Sequence, residues 1–149
     1  MRHAPVQAVR RVLLLAAVSL FALPATPQQS RLPYMVEPDE LARFATGLRA
    51  AVEAQSAARV ARFVRFPLRV NQAGRQPRFL GADDFLGEYS RVFTPRLRAA
   101  LLKQDLTQLE QSVGDVALAD GMLTVTGVCP DQRCATIAPR ITTVDLHEP

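Results

Sequence analysis

From residue 38 onward the apolar positions first fall at helical spacing. Leu41, Phe44, Ala45, Leu48 and Val52 recur at steps of three and four and form one stripe, with Arg43, Arg49 and Glu53 off it. Asp39 and Glu40 precede the stripe, where the positive end of a helix dipole favours anions. The pattern predicts an amphipathic helix ending near Gln55. Ser56 is a good N-cap for a second, shorter helix over 57–64, with Val60, Phe63 and Val64 inward and Arg59 and Arg62 outward. Pro67 disfavours helical geometry at Phe66, and the period changes to two. Phe66, Leu68 and Val70 share one face; Arg65, Pro67 and Arg69 share the other. That predicts a half-buried strand with Pro67 at an edge or a bulge.

A polar turn over 71–77, containing Gly74, leads to a short return strand over 78–80. Gly81 caps the next helix, Asp83 and Asp84 fill its first turn, and Phe85, Tyr89, Val92 and Phe93 mark its inner face. Thr94-Pro95 is a helix restart, with Thr as cap and Pro at the first helical position. Leu97, Ala100 and Leu101 face inward, and this helix should end near Asp105. The remainder reads as strands: 113–119 and 122–128 around an Asp120-Gly121 hairpin turn, then 141–146. Helices followed by a run of strands imply an α+β domain, with helices packed on one face of a mostly antiparallel sheet.

The segment before residue 38 has a different character. Arg2, Arg10 and Arg11 precede an apolar run over 12–23, broken only by Ser19; Pro24-Ala25 and a polar stretch follow. This is the layout of a secretory signal peptide, expected to be cleaved after Ala25, with Ala22 as second choice. A retained anchor is the alternative, but the run is short for a spanning helix. The expected organisation is a signal over 1–25, an extended lead-in over 26–37 and one α+β domain over 38–149. The product would be periplasmic or secreted, with no membrane span after signal removal.

Composition changes the picture only once the leader is set aside. The 149 residues carry 18 basic and 14 acidic side chains, for +4, and are 48% hydrophobic. Without 1–25, fifteen basic side chains face fourteen acidic ones, so the body is near neutral. The high isoelectric point therefore says little about nucleic acid or membranes. Length and composition exclude a multidomain enzyme, a coiled coil, a collagen and a bulk-disordered chain. Export also alters how Cys129 and Cys134 read. In an oxidising compartment they favour a disulfide over free thiols or metal ligands; zinc would need further ligands, and His147 is the only His of the body.

Three stretches, taken in order, carry a resemblance: FVRFPLRV over 63–70, DDFLGEYSRVFTPRLRAAL over 83–101 and GDVALADGMLTV over 114–125. Over about residues 38–146 the chain resembles small exported bacterial proteins of the nuclear-transport-factor-2-like superfamily, the cystatin-like roll. The resemblance implies a curved sheet wrapped by helices around a conical pocket. It also implies a range of roles: isomerases, cyclases and dehydratases, alongside non-catalytic binding and assembly domains. A homodimer through the sheet is a further option it carries.

Candidate chemistry is sparse. No GxSxG, glycine-rich phosphate loop or paired His occurs, so no metal or other cofactor is expected. Asp83 and Asp84 with Tyr89 are the weak catalytic candidates, a base and a hydrogen-bond donor at a pocket. The plainer explanation is dipole complementarity, with Tyr89 a core residue whose hydroxyl finds a partner. Charge is uneven: residues 31–103 hold thirteen basic and seven acidic side chains, and residues 105–149 hold two and seven. Arg59, Arg62, Arg65, Arg69, Arg75 and Arg78 crowd one helix–strand–turn unit. They are a solvated face or a patch for an acidic protein, an anionic glycan or a lipid head group. Nucleic acid is not expected, since no aromatic residues interleave as a stacking platform. The expectation is an exported non-catalytic protein that binds a partner protein or small ligand. The alternatives are a carboxylate-dependent isomerase, cyclase or dehydratase, and an inhibitor or immunity-type protein for a secreted enzyme.

Overall fold

The computed structural model describes residues 35–109, 111–112 and 114–146. The expected signal over 1–25, most of the lead-in and His147 lie outside the described residues. Among the described residues, four helices and six strands follow in the order α1 (Pro38–Glu53), α2 (Ala57–Ala61), β1 (Val64–Gln72), β2 (Arg78–Leu80), α3 (Ala82–Val92), α4 (Pro95–Lys103), β3 (Gln111–Ser112), β4 (Asp115–Leu118), β5 (Leu123–Val128) and β6 (Ala138–Leu146). The strands form one open sheet in the order β2-β1-β6-β5-β4-β3. Among the described residues only the β1–β6 pairing, one in from the β2 edge, is parallel; the other four are antiparallel. The fold is α+β, with the helices on one face of a mixed, mostly antiparallel sheet.

The periodicities explain which face is covered. Leu41, Phe44, Ala45, Leu48 and Val52 of α1 are all buried, as is Ala51. Arg49, off the stripe, donates from its guanidinium to the Leu102 carbonyl and so ties α1 to the end of α4. On β1, Leu68 and Val70 are buried while Arg65, Pro67 and Arg69 are exposed. Pro67 sits where the β1–β6 register shifts and before β2 pairing begins at Leu68, so its missing N–H breaks no ladder. Phe85 lies at the centre of the core, with its ring edge-on to Phe66, Tyr89 and Phe93 at 5.6–6.0 Å between centroids. Thr94 accepts from the Leu97 N–H at 3.3 Å and Pro95 opens α4, the predicted restart.

Several boundaries differ from the sequence pattern. Strand β1 runs on to Gln72, into the expected turn, and the last strand begins at Ala138 rather than at residue 141. Two further differences have a clear cause. The second helix stops at Ala61 rather than continuing to residue 64. The Ile141 N–H donates to the Phe63 carbonyl, which draws Val64 into the sheet opposite Ile141. Burial of Val64 is the same in either state, so periodicity could not separate them. The strand expected from residue 113 begins at Asp115, because Gly114 turns the chain with φ +92°. Ahead of that turn lies β3, which the pattern did not predict. The hairpin after β4 does turn at Asp120-Gly121. Both have positive φ, and the Met122 N–H donates to the Ala119 carbonyl.

Candidate functional site

Period-two alternation decides which polar groups meet at the tip of the β1–β2 hairpin. Val70 and Gln72 point to the helix-covered side of β1, and Arg78 lies opposite Val70. Arg78 therefore continues the inner face past the edge of the apolar core and meets α3. There its guanidinium donates to the two oxygens of Glu88, at 2.9 and 3.4 Å. The hairpin closes tightly: the Arg75 N–H donates to the Gln72 carbonyl, and Gly74 takes φ +67°. The result is a polar cleft of about 230 Å³ lined by Gln72, Arg75, Gln76, Arg78, Glu88 and Arg91.

Three guanidinium groups and two amides surround one carboxylate, so the lining carries a formal +2. The hydrogen bond from Arg78 holds the Glu88 carboxyl below its ordinary value, aided by the charges of Arg78 and Arg91 and opposed by desolvation. Glu88 thus stays ionised at neutral pH. Among the described residues no ion pair engages Arg75 or Arg91. What the cleft can do chemically is accept an anion: guanidinium forks match the oxygens of carboxylates and phosphates.

The six arginines singled out in the sequence do not form one surface. Arg75 and Arg78 meet in the cleft, together with Arg91, which sequence reasoning missed. Its signal was its place three residues after Glu88, one helical turn on. Arg59 and Arg62 are exposed on and beside α2. Arg65 and Arg69 are exposed on the sheet face opposite the helices. Arg69 donates to Asn71 at 2.9 Å, and Asn71 donates to Asp145 at 2.6 Å. Arg65 borders a separate groove with Thr126, Gly127, Val128 and Cys129.

Asp83, Asp84 and Tyr89 do not converge either. The two carboxylates are exposed in the first turn of α3, whereas Tyr89 lies on the inner face, 8% exposed. Its ring stacks on Phe93 at 5.4 Å. Its hydroxyl, expected to find a partner, is buried and bonded to none of the described residues. Burial raises the phenol above its usual value, and the charge of Arg98 partly opposes this. No carboxylate among the described residues is buried, and no three metal-ligating side chains come together there.

Cys129 and Cys134 are joined by a disulfide. Asp131 organises the loop between them, accepting the Arg133 and Cys134 N–H groups at 2.9 Å each. The whole segment 129–136 is exposed. A third opening, beside the start of α1, is lined by Met35, Leu41, Leu106 and Leu109 among others. No described helix is long and apolar enough to cross a membrane. Comparison with protein-family models gives no match, and neither does comparison with curated proteins.

Proposed function

We propose that this chain is an exported, non-catalytic binding protein, periplasmic or secreted, of the nuclear-transport-factor-2-like roll, and that it recognises an acidic partner through its surface. The observation that carries this is where the polar chemistry lies. Among the described residues, the buried side chains between sheet and helices are apolar apart from the hydroxyl of Tyr89. The cations gather instead at the hairpin–α3 cleft and along exposed β1. A carboxylate-dependent isomerase or cyclase needs a buried acid beside its hydrogen-bond donor, and Asp83 and Asp84 lie on another face of α3 from Tyr89. The disulfide supports export, since such pairs persist in oxidising compartments.

The test is partner capture from a periplasmic extract by the immobilised protein, followed by reconstitution with the captured species in pure form. Recovery should fall in high salt and in an Arg75→Glu/Arg91→Glu variant, because exposed charge contacts are screened. Turnover of a small carbonyl substrate that Tyr89→Phe or Asp84→Asn abolishes would replace binding with catalysis. The exposed Cys129–Cys134 loop favours a second version, an inhibitor or immunity-type protein that presents this loop to a secreted enzyme. In that case reductant lowers capture more than it lowers stability; equal recovery with and without reductant removes the loop from consideration.

A further inference from the structure

We infer that the cleft between the β1–β2 hairpin and α3 is a small-anion site that takes a doubly charged, tetrahedral oxyanion group: phosphate, free or as a monoester. This deepens the binding proposal, resting on it only for the idea that the protein's role is recognition; occupancy of the cleft can be measured whatever the partner is.

Four features select that chemistry. The first is charge, since the lining sums to +2 and a dianion neutralises it. The second is donor supply. The Arg75 and Arg91 guanidinium groups, unpaired among the described residues, and the Gln72 and Gln76 amides can all donate, which suits a group with several acceptor oxygens better than a lone planar carboxylate. The third is size. A volume of about 230 Å³ holds a phosphate and a few waters, each water taking about 30 Å³. It falls below the roughly 300 Å³ at which pockets for larger organic ligands begin. The fourth is an internal demonstration: Glu88 already presents two oxygens to Arg78 in the same cleft.

Glu88 then has a definite role. It fixes the Arg78 fork and holds one charge in reserve, which lowers affinity for any incoming anion. The partial negative charge of the nearby α3 C-terminus acts in the same direction. An extra cation beyond those paired is therefore what the site requires, and Arg91 in the last turn of α3 provides it.

The experiment is calorimetric titration of the purified protein with sodium phosphate, glycerol 3-phosphate and succinate at matched ionic strength. Arg75→Gln/Arg91→Gln and Glu88→Gln variants are run alongside, with folding verified by circular dichroism. Phosphate should bind saturably. The double variant should weaken it by about tenfold or more, and Glu88→Gln should tighten it several-fold by removing a like charge. Glycerol 3-phosphate binding as well as phosphate supports the site with a monoester as its source, the organic part lying in solvent. Phosphate binding alone supports the site with the free ion as its source. No saturable phosphate binding below about 10 mM overturns the inference. So does phosphate binding that the double variant leaves unchanged, or succinate binding without phosphate.

Discussion

Replacing Tyr89 by Phe removes one oxygen and keeps everything else the ring does. The stacking on Phe93 and the edge contact with Phe85 remain, and the volume is nearly conserved. What disappears is a buried hydroxyl with no partner among the described residues. Leaving such a group unbonded costs about 1–3 kcal/mol, so Tyr89→Phe should stabilise the protein by about 1–2 kcal/mol. For a domain of this size that is a rise in Tm of about 4 °C per kcal/mol. Urea titration should show a higher midpoint with an unchanged slope. The pH dependence supplies a second readout. Burial raises the phenol of folded Tyr89, so above its ordinary value the unfolded chain ionises while the folded one does not. Stability is therefore intact below about pH 10 and is lost as the pH climbs through the raised value. Tyr89→Phe should lack that alkaline loss. A variant destabilised by 1 kcal/mol or more, with an unchanged alkaline profile, would show instead that the hydroxyl is bonded in the folded protein.

Other expectations follow from burial and from single fastenings. Phe85→Ala should cost about 3–5 kcal/mol in urea titration, since the ring is wholly buried. Phe79→Ala, at a residue 63% exposed, should stay within about 0.5 kcal/mol; equal effects would contradict the assignment of faces in the β1–β2 hairpin. The Gln111 side chain accepts from the Val36 N–H at 3.2 Å and donates to the Val36 carbonyl at 2.8 Å. Gln111→Ala should cost about 1–2 kcal/mol and speed exchange of the Val36 amide, read by hydrogen exchange. Changing both Cys129 and Cys134 to Ser should cost about 2 kcal/mol or less, the closure entropy of a short loop, with little change in far-ultraviolet dichroism.

Local chemistry was what the sequence displayed best. The α1 stripe, the Thr94-Pro95 restart and the Asp120-Gly121 turn each depend on residues within a few positions of one another, and each appears where the pattern put it. What escaped depends on distant partners. Strand β3 is two residues, Gln111–Ser112, without alternation; it exists because β4 offers a ladder to pair with. Val64 changed from helix to strand because Ile141, far along the chain, holds it. The cleft escaped for the same reason. Glu88 and Arg91 come from α3, while Arg75 and Arg78 come from the preceding hairpin, and only packing brings them together. The run of arginines over 59–78 looked like one patch in sequence. A helix followed by a strand of period two distributes it over different surfaces, and just two of the six reach the cleft.

The most direct test is to locate the protein in its native cell and weigh it. An N-terminus after Ala25 or Ala22, recovered from the periplasm or medium, with Cys129 and Cys134 resistant to alkylation until reductant is added, is the predicted result. A chain still beginning at Met1, held in the cytosol with both thiols open to alkylation, would contradict it.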